Sequence, residues 1–431
     1  RSHGTPGFGR AMVTTSGGMS LGEALLQERL AQVEDGAVQR LLRNASLEEV
    51  AQELRRYTPE GKEYVAYLCL LDALVELTTR HGGDVEVILG DYNRLVDRAG
   101  SEQIRSYPKR FARLTRKVTQ LAHERGQCAS VIATLKNALS RAAVGYYMSP
   151  IHTDLLAACV SAQMYHVARE AAVPSAFNTN TGLQATDVQL YYHYRMLVAI
   201  ADHDFVLATR SAQLVFAVPA QQLTDVAVDT YKKFVLVSAV LSDEEAKGLK
   251  GGGSRIDVNP WSDLRFKQIC TNYLALAQLL GKGDLTQLDE FMEAHEDEFQ
   301  RDLNMGLVKQ AIAATKQRKI ALLTKVFAKL PLAEVAHRAK MTSSEEAKSM
   351  LLEMIKEGRI SAQIDERAGV VTFQEYSELA RRLETSGASL DFDAEMQRCL
   401  RSLQNVCQFR DWMVQVPADV QTANHKPVKK T

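Results

Sequence analysis

The sequence has no surplus of either charge: 52 Lys and Arg stand against 52 Asp and Glu among 431 residues. Proteins that bind nucleic acid over a broad surface carry excess cations to neutralise phosphates, so this balance excludes a strongly basic binder. At 46% apolar and 24% charged residues, the chain is also too apolar for an acidic disordered protein. Proline is scarce, at 10 residues. No apolar run approaches the roughly 18 residues of a membrane span. The first 20 residues hold five Gly, two Arg and no acid. They lack the apolar middle of a secretory signal and read as a flexible tail.

The six cysteines, at 69, 128, 159, 270, 399 and 407, form no C-x-x-C or zinc-knuckle pair. They read as buried free thiols of a reducing compartment. Catalytic signatures are missing too. No two of the ten His stand two apart, and His295-Glu296 is not followed by a second His at zincin spacing. There is no G-x-S-x-G and no Walker A. The glycine run Gly251-Gly252-Gly253 follows no strand and precedes no Lys-Ser or Lys-Thr, so it reads as an exposed loop. His193, in Tyr191-Tyr192-His193-Tyr194, reads as a packed helix histidine. Asp202-His203-Asp204 reads as an inter-helix turn. No metal, cofactor or catalytic residue is expected.

Helical periodicity is plentiful. Residues 21–316 read as one amphipathic segment after another. Ser20 and Ser46 suit N-caps, and Ser46 has Glu49 at capping-box spacing. Leu190, Tyr194, Leu197, Val198 and Ala201 form one stripe. Phe205, Ala208, Ala212, Val215 and Phe216 form the next. Ala227, Tyr231, Phe234 and Val235 begin a third helix. Phe266, Ile269, Cys270, Tyr273, Leu274 and Ala277 begin a fourth, with Leu285, Leu288 and Met292 on its partner. Val188, Ala227 and Phe266 recur every 39 residues. That spacing is the signature of stacked helix pairs, a TPR-like solenoid without the strict tetratricopeptide consensus.

Residues 317–376 change character. A helix over 319–329 points Leu323, Val326 and Phe327 inward, and Leu330-Pro331 breaks it. A short helix with Leu332, Val335 and Ala336 follows. Ser343 and Glu346 open a third, with Ala347, Met350, Leu351, Met354 and Ile355 buried and Gly358 at its C-terminus. Ile360, Ala362 and Ile364 then alternate with polar residues, a turn follows, and Val370, Val371 and Phe373 return as a hairpin. Three helices and a hairpin make a winged helix. From Ser343 to Glu357 there are four Glu and two Lys, a net of −2, which would repel a duplex. Edge-to-edge strand pairing with another protein is the alternative use of such a wing. Residues 388–415 then form an amphipathic helix. Its seam, Phe392, Met396, Cys399, Leu403 and Val406, has coiled-coil or bundle spacing. Residues 416–431 read as a disordered tail.

The expected fold is therefore all-α: a TPR-like helical-repeat solenoid, a winged helix with a small β-hairpin wing, and a C-terminal helix. This layout resembles PCI-domain proteins, the scaffold subunits of the proteasome lid, the COP-nine signalosome and translation initiation factor three. The run Phe299-x-Arg301-Asp302-x-Asn304-Met305-Gly306-Leu307-Val308-Lys309-Gln310 is similar to one in the signalosome's third-subunit family. So are Tyr231 to Ser238 and Glu345 to Ile360, and, more loosely, residues 110–140. The resemblance covers most of residues 60–375 and places the PCI domain at about 186–376. Gly251 to Gly253 look like an insertion.

The resemblance implies a non-catalytic scaffold in the complex that removes the ubiquitin-like neddylation modifier from cullins, and so regulates cullin–RING ligases. It implies PCI- and MPN-type subunits as partners, no nucleic acid or membrane, and residence in nucleus and cytoplasm. It places the subunit interface at the wing (Ile360, Ala362, Ile364, Val370, Val371 and Phe373) and at the C-terminal seam. A lid or initiation-factor subunit is the alternative within the family, and a nucleic-acid-binding winged helix the alternative outside it.

Overall fold

A computed structural model describes residues 46–142, 147–171, 176–177, 183–218, 223–241, 264–282, 287–341 and 343–374. The tails, the glycine run and the 388–415 segment lie outside them. The chain divides into two compact units, 1–315 and 316–431.

The first unit is a succession of helices: α1 (Leu47–Leu54), α2 (Tyr64–His81), α3 (Val85–Arg98), α4 (Ser101–Ser106), α5 (Pro108–Glu124), α6 (Cys128–Ala142), α7 (Pro150–Ser161), α8 (Tyr165–Ala171), α9 (Ala185–Ala201), α10 (Phe205–Ala217), α11 (Asp225–Val240), α12 (Leu264–Ile269), α13 (Thr271–Lys282) and α14 (Leu288–Arg301). The capping box at Ser46 forms as expected. Tyr147–Met148 (β1) and Ala176–Phe177 (β2) make a short parallel pair that helical periodicity could not signal. Val188, Ala227 and Phe266 fall in the first turns of α9, α11 and α12.

One turn recurs between helices. After α5, α7, α9 and α14 the chain takes one left-handed residue: Gly126, Gln163, His203 and Leu303. The next amide reaches back five residues: Gln127 N–H to Ala122 O (2.8 Å), Met164 to Cys159 (2.8 Å), Asp204 to Ala199 (2.9 Å) and Asn304 to Phe299 (2.9 Å). This is the Schellman cap, which satisfies the last carbonyls of a helix. The following helix starts within two residues, so antiparallel neighbours result from the turn itself.

Two helices of this unit differ from expectation. Of the stripe Leu190, Tyr194, Leu197, Val198 and Ala201, Val198 is buried, and the other four lie on the more open side of α9. Tyr191, Tyr192, His193, Met196 and Ala199 are buried, because α9 packs against α7, α8, α10 and α11 and is enclosed nearly all round. The helix expected from Phe266 through Ala277 bends at Cys270 and splits into α12 and α13. The bend leaves Ile269 53% exposed while Phe266, Cys270, Tyr273 and Leu276 stay in the core. There Phe266 stacks on Tyr231 at 4.5 Å between ring centroids, with the Phe216 edge against both.

The helix α15 (Met305–Val326) gives Leu307, Val308 and Ala311 to the first core and Ile320 to the second. Val326, expected inward, is 72% exposed. At 100° per residue it lies off the row Ile320, Leu323 and Phe327 that faces the core. Leu330-Pro331 is more than a breaker: Lys329–Pro331 is a strand, β3. The helices α16 (Leu332–Arg338) and α17 (Ser344–Lys356) follow, then β4 (Ala362–Asp365) and β5 (Val370–Phe373). The same Schellman cap closes α16 at Lys340 and α17 at Gly358. The three strands form an antiparallel sheet in the order β3-β5-β4, completing a winged helix.

Phe299 is fully buried and meets Tyr273 edge-on at 5.0 Å. Phe299→Ala is expected to cost about 3–5 kcal/mol in urea unfolding. Leu303, 90% exposed at φ 55°, carries the steric cost of a left-handed side chain. Leu303→Gly is expected to leave the fold intact and to raise stability by up to about 1 kcal/mol.

Candidate subunit interface

The register of the wing decides which backbone groups are free to pair. Gln374 N–H donates to Ser361 O (2.9 Å), Phe373 N–H to Ala328 O (2.8 Å) and Leu332 N–H to Gly369 O (2.8 Å). The alternation of an antiparallel ladder assigns the rest. Along β5, Val371 and Phe373 face β3, while Val370 and Thr372 face β4. β5 is therefore paired on both sides and has no open edge. On β4, Gln363 and Asp365 bond inward to β5, and the backbone N–H and C=O of Ala362 and Ile364 point outward. Among the described residues nothing pairs with them.

The six wing residues thus divide by position. Ile360, Val371 and Phe373 are core side chains of the winged helix, at 5%, 0% and 7% exposure. Val370 stands on the central strand. Ala362 and Ile364 alone sit on an open edge. The seam residues Phe392, Met396, Cys399, Leu403 and Val406 lie outside the described residues.

The opposite edge is closed by chemistry. On β3 the outward positions are Lys329 and Pro331. Proline has no N–H, and a lysine disfavours docking of a second strand. The sheet therefore offers pairing on one side only. The wing turn is held rigid: Asp365 Oδ1 accepts from Arg367 N–H (3.0 Å) and Ala368 N–H (3.1 Å), with Gly369 at φ 62°.

The helix α17, which a DNA-binding winged helix would place in the major groove, presents Glu345, Leu352, Glu353 and, in its last turn, Lys356 to solvent. Lys348 is held by Glu366 of the wing turn at 2.9 Å. Its other acid, Glu346, is tied to Lys316 at 2.7 Å. An acidic outer face with a neutralised lysine repels phosphates.

In the first unit, the runs that carry the family resemblance meet. Lys232 Nζ lies 2.6 Å from Asp302 Oδ2, and the Tyr273 hydroxyl donates to the same oxygen at 2.7 Å. Asn304 Nδ2 donates to the Tyr273 hydroxyl at 3.0 Å. Burial alone would raise the Asp302 carboxyl, but the bonds from Lys232 and Tyr273 hold it below the ordinary value. The same burial raises Tyr273. Sequence reading quoted Lys232 and Asp302 in separate runs; their separation of 70 residues hid the contact.

The buried thiols and histidines of the first unit have structural surroundings. Burial raises the Cys159 and Cys270 thiols to about 11, the opposite of nucleophile activation. His193 Nδ1 meets Thr230 Oγ1 at 2.8 Å, and Ser149 N–H donates to His152 Nδ1 at 3.0 Å. No group of three metal-ligating side chains occurs among the described residues. Among the same residues, no helix is long and apolar enough to cross a membrane.

Burial lowers His152 and His193 to about 4. An unfolded histidine protonates near 6.5, so the folded chain holds fewer protons between about 4 and 6.5, and stability falls as pH drops through that window. Asp154, pushed up to about 7 by burial, has the opposite sign and offsets part of the loss. The variant His152→Asn/His193→Gln keeps acceptors at both sites. It is expected to lose clearly less Tm between pH 7 and pH 5 than the parent chain. An equal loss would place the acid sensitivity elsewhere.

Comparison with known proteins agrees with this architecture. The family model for the N-terminal helical repeats of COP9 signalosome complex subunit 3 matches residues 27–247, and the PCI domain model matches residues 292–375. COP9 signalosome complex subunit 3 of Dictyostelium discoideum is 26% identical over 300 residues, 68% of this chain and 70% of that protein. The protein of the same name from Arabidopsis thaliana is 26% identical over 283 residues, 65% of this chain and 64% of that protein. The first of these models covers half of the chain, and the PCI model covers the winged helix and the helices before it; the chain belongs to the COP9 signalosome complex subunit 3 family.

Proposed function

We propose that this chain is a non-catalytic scaffold subunit of the signalosome, the complex that removes the ubiquitin-like neddylation modifier from cullins and so regulates cullin–RING ubiquitin ligases. Its partners are other PCI- and MPN-type subunits, and it reaches cullin–RING ligases only through the assembly, in nucleus and cytoplasm. The observation that supports this best is the one-sided sheet. β4 offers two outward residues, Ala362 and Ile364, while Pro331 and Lys329 close the far edge. A sheet built this way accepts one strand and terminates on the other side, as a subunit of defined position requires. The 388–415 helix supplies a second contact by entering a shared bundle through Phe392, Met396, Cys399, Leu403 and Val406.

The register makes this testable at adjacent residues. Ala362→Pro removes an outward N–H and leaves the internal ladder whole. It is expected to weaken assembly with co-expressed signalosome subunits by about tenfold or more. The winged helix should keep its thermal stability. Gln363→Pro removes an inward N–H and is expected to destabilise the winged helix by about 3 kcal/mol. Assembly of Ala362→Pro at parental affinity, or capture of proteasome-lid or initiation-factor subunits in place of signalosome ones, would overturn the reading.

A further inference from the structure

The outward side of α15 in the second unit carries an uncovered apolar pair. Leu322 and Val326 are 60% and 72% exposed, and they lie one turn apart on the helix. The other side of α15, through Ile320, Leu323 and Phe327, packs into the winged-helix core. Of the remaining exposed large apolar side chains among the described residues, Val87, Ile269, Leu303 and Leu352, no two lie one turn apart. Single exposed apolar residues are ordinary, whereas a contiguous pair is a surface that another element can cover.

The register of the sheet determines which part of the chain arrives beside this pair. β5 runs antiparallel to β3, from Val370 opposite Pro331 to Thr372 opposite Lys329, and so carries the chain back toward the end of α15. Phe373 N–H donates to Ala328 O at 2.8 Å, two residues past Val326. The segment that follows Gln374 therefore starts at the last turn of α15. From Glu375 to Glu384 its sequence has no Pro or Gly, and Tyr376, Leu379, Ala380 and Leu383 stand at i, i+3, i+4 and i+7. That is an apolar stripe of helical period, and Gly387 follows as a stop signal. At the rise of a helix the stripe is about 10 Å long, against about 6 Å from Leu322 to Val326, so one short helix spans the pair. At 100° per residue Glu375 and Glu384 flank the stripe. Exposed Lys325 lies beside Leu322, and exposed Lys329 lies just past the end of α15. An acid-edged stripe and a lysine-edged pair are complementary.

We propose that residues 376–383 form a short helix that docks on Leu322 and Val326 of its own chain, antiparallel to α15. Covalent continuity with β5 gives this segment an effective concentration that a separate chain has to match. The inference goes beyond the scaffold reading. The docked helix fixes the point from which the 388–415 segment leaves the winged helix, whether or not β4 is paired.

Limited trypsin digestion of the full chain, followed by mass spectrometry, tests this, because Arg381-Arg382 lies within the docked segment. Leu322→Ser/Val326→Ser is expected to speed cleavage after Arg381 or Arg382 about tenfold or more. Cleavage after Lys348 in α17, which reports opening of the winged helix, is expected to stay at the parental rate. Leu352→Ser, at an exposed apolar position of α17, is expected to leave both sites as in the parent. Val326→Ser alone serves if the double variant does not fold, with a rise of about threefold or more at Arg381-Arg382. The chain is digested without other subunits, so the result is independent of assembly at β4. Equal cleavage after Arg381-Arg382 in parent and α15 variants would overturn the proposal. So would protection that rises with chain concentration, which assigns the pair to a second copy. Protection that appears only with co-expressed signalosome subunits would also overturn it, since another subunit then covers the pair.

Discussion

The helices α2, α5 and α9 have apolar faces too wide to be covered by one neighbour, and the packing of the first unit follows from that constraint. α9 shows it most clearly: Tyr191, Tyr192, Met196 and Ala199 are buried on different sides because four other helices press on it. Burial of this kind contributes roughly 25 cal/mol per Å² of apolar surface. It is available only if successive helices reverse direction and stack. The Schellman turns supply the reversal at low cost, since each satisfies the end of one helix while starting the next. That four of the six Schellman positions hold Gln163, His203, Leu303 and Lys340 shows that the stacking energy tolerates a side chain where glycine would be easier.

The polar groups are subordinate to the same packing. Where a charge is taken into the repeats, its partners come with it from distant helices, as Asp154 and Asp187 do for Arg116 and Asp302 does for Lys232. Removing one member of such a set leaves the other desolvated. These networks hold the repeats in register and, as far as the described residues show, leave no activated nucleophile or base. The structure therefore directs attention to surfaces, and above all to the sheet edge that the winged helix leaves unpaired.

Much of this was legible in the sequence. The capping box at Ser46, the N-cap at Ser343, the glycine at 358 and the alternation at 360–364 are local signals, and each produced the element it announced. The misreadings share one cause. β3 is three residues long and includes a proline, so its identity as a strand depends on β5, which lies about 40 residues further on. The expected stripe of α9 held only at Val198, because a helix packed on by four others has no single apolar face to read. Val326 was assigned inward by composition, but the core is formed by the row through Ile320.

The sequence by itself determined the class of fold, the order of its units and the family, because helix periodicity, capping residues and short motifs act over a few neighbours. It also carried the net −2 of residues 343–357 that argues against a DNA reader. Only the tertiary structure decided which wing residues lie on an edge and which lie in the core. Strand order and register are relations between residues far apart in the chain. Placing β5 in the centre consumes its donors and leaves those of Ala362 and Ile364 open.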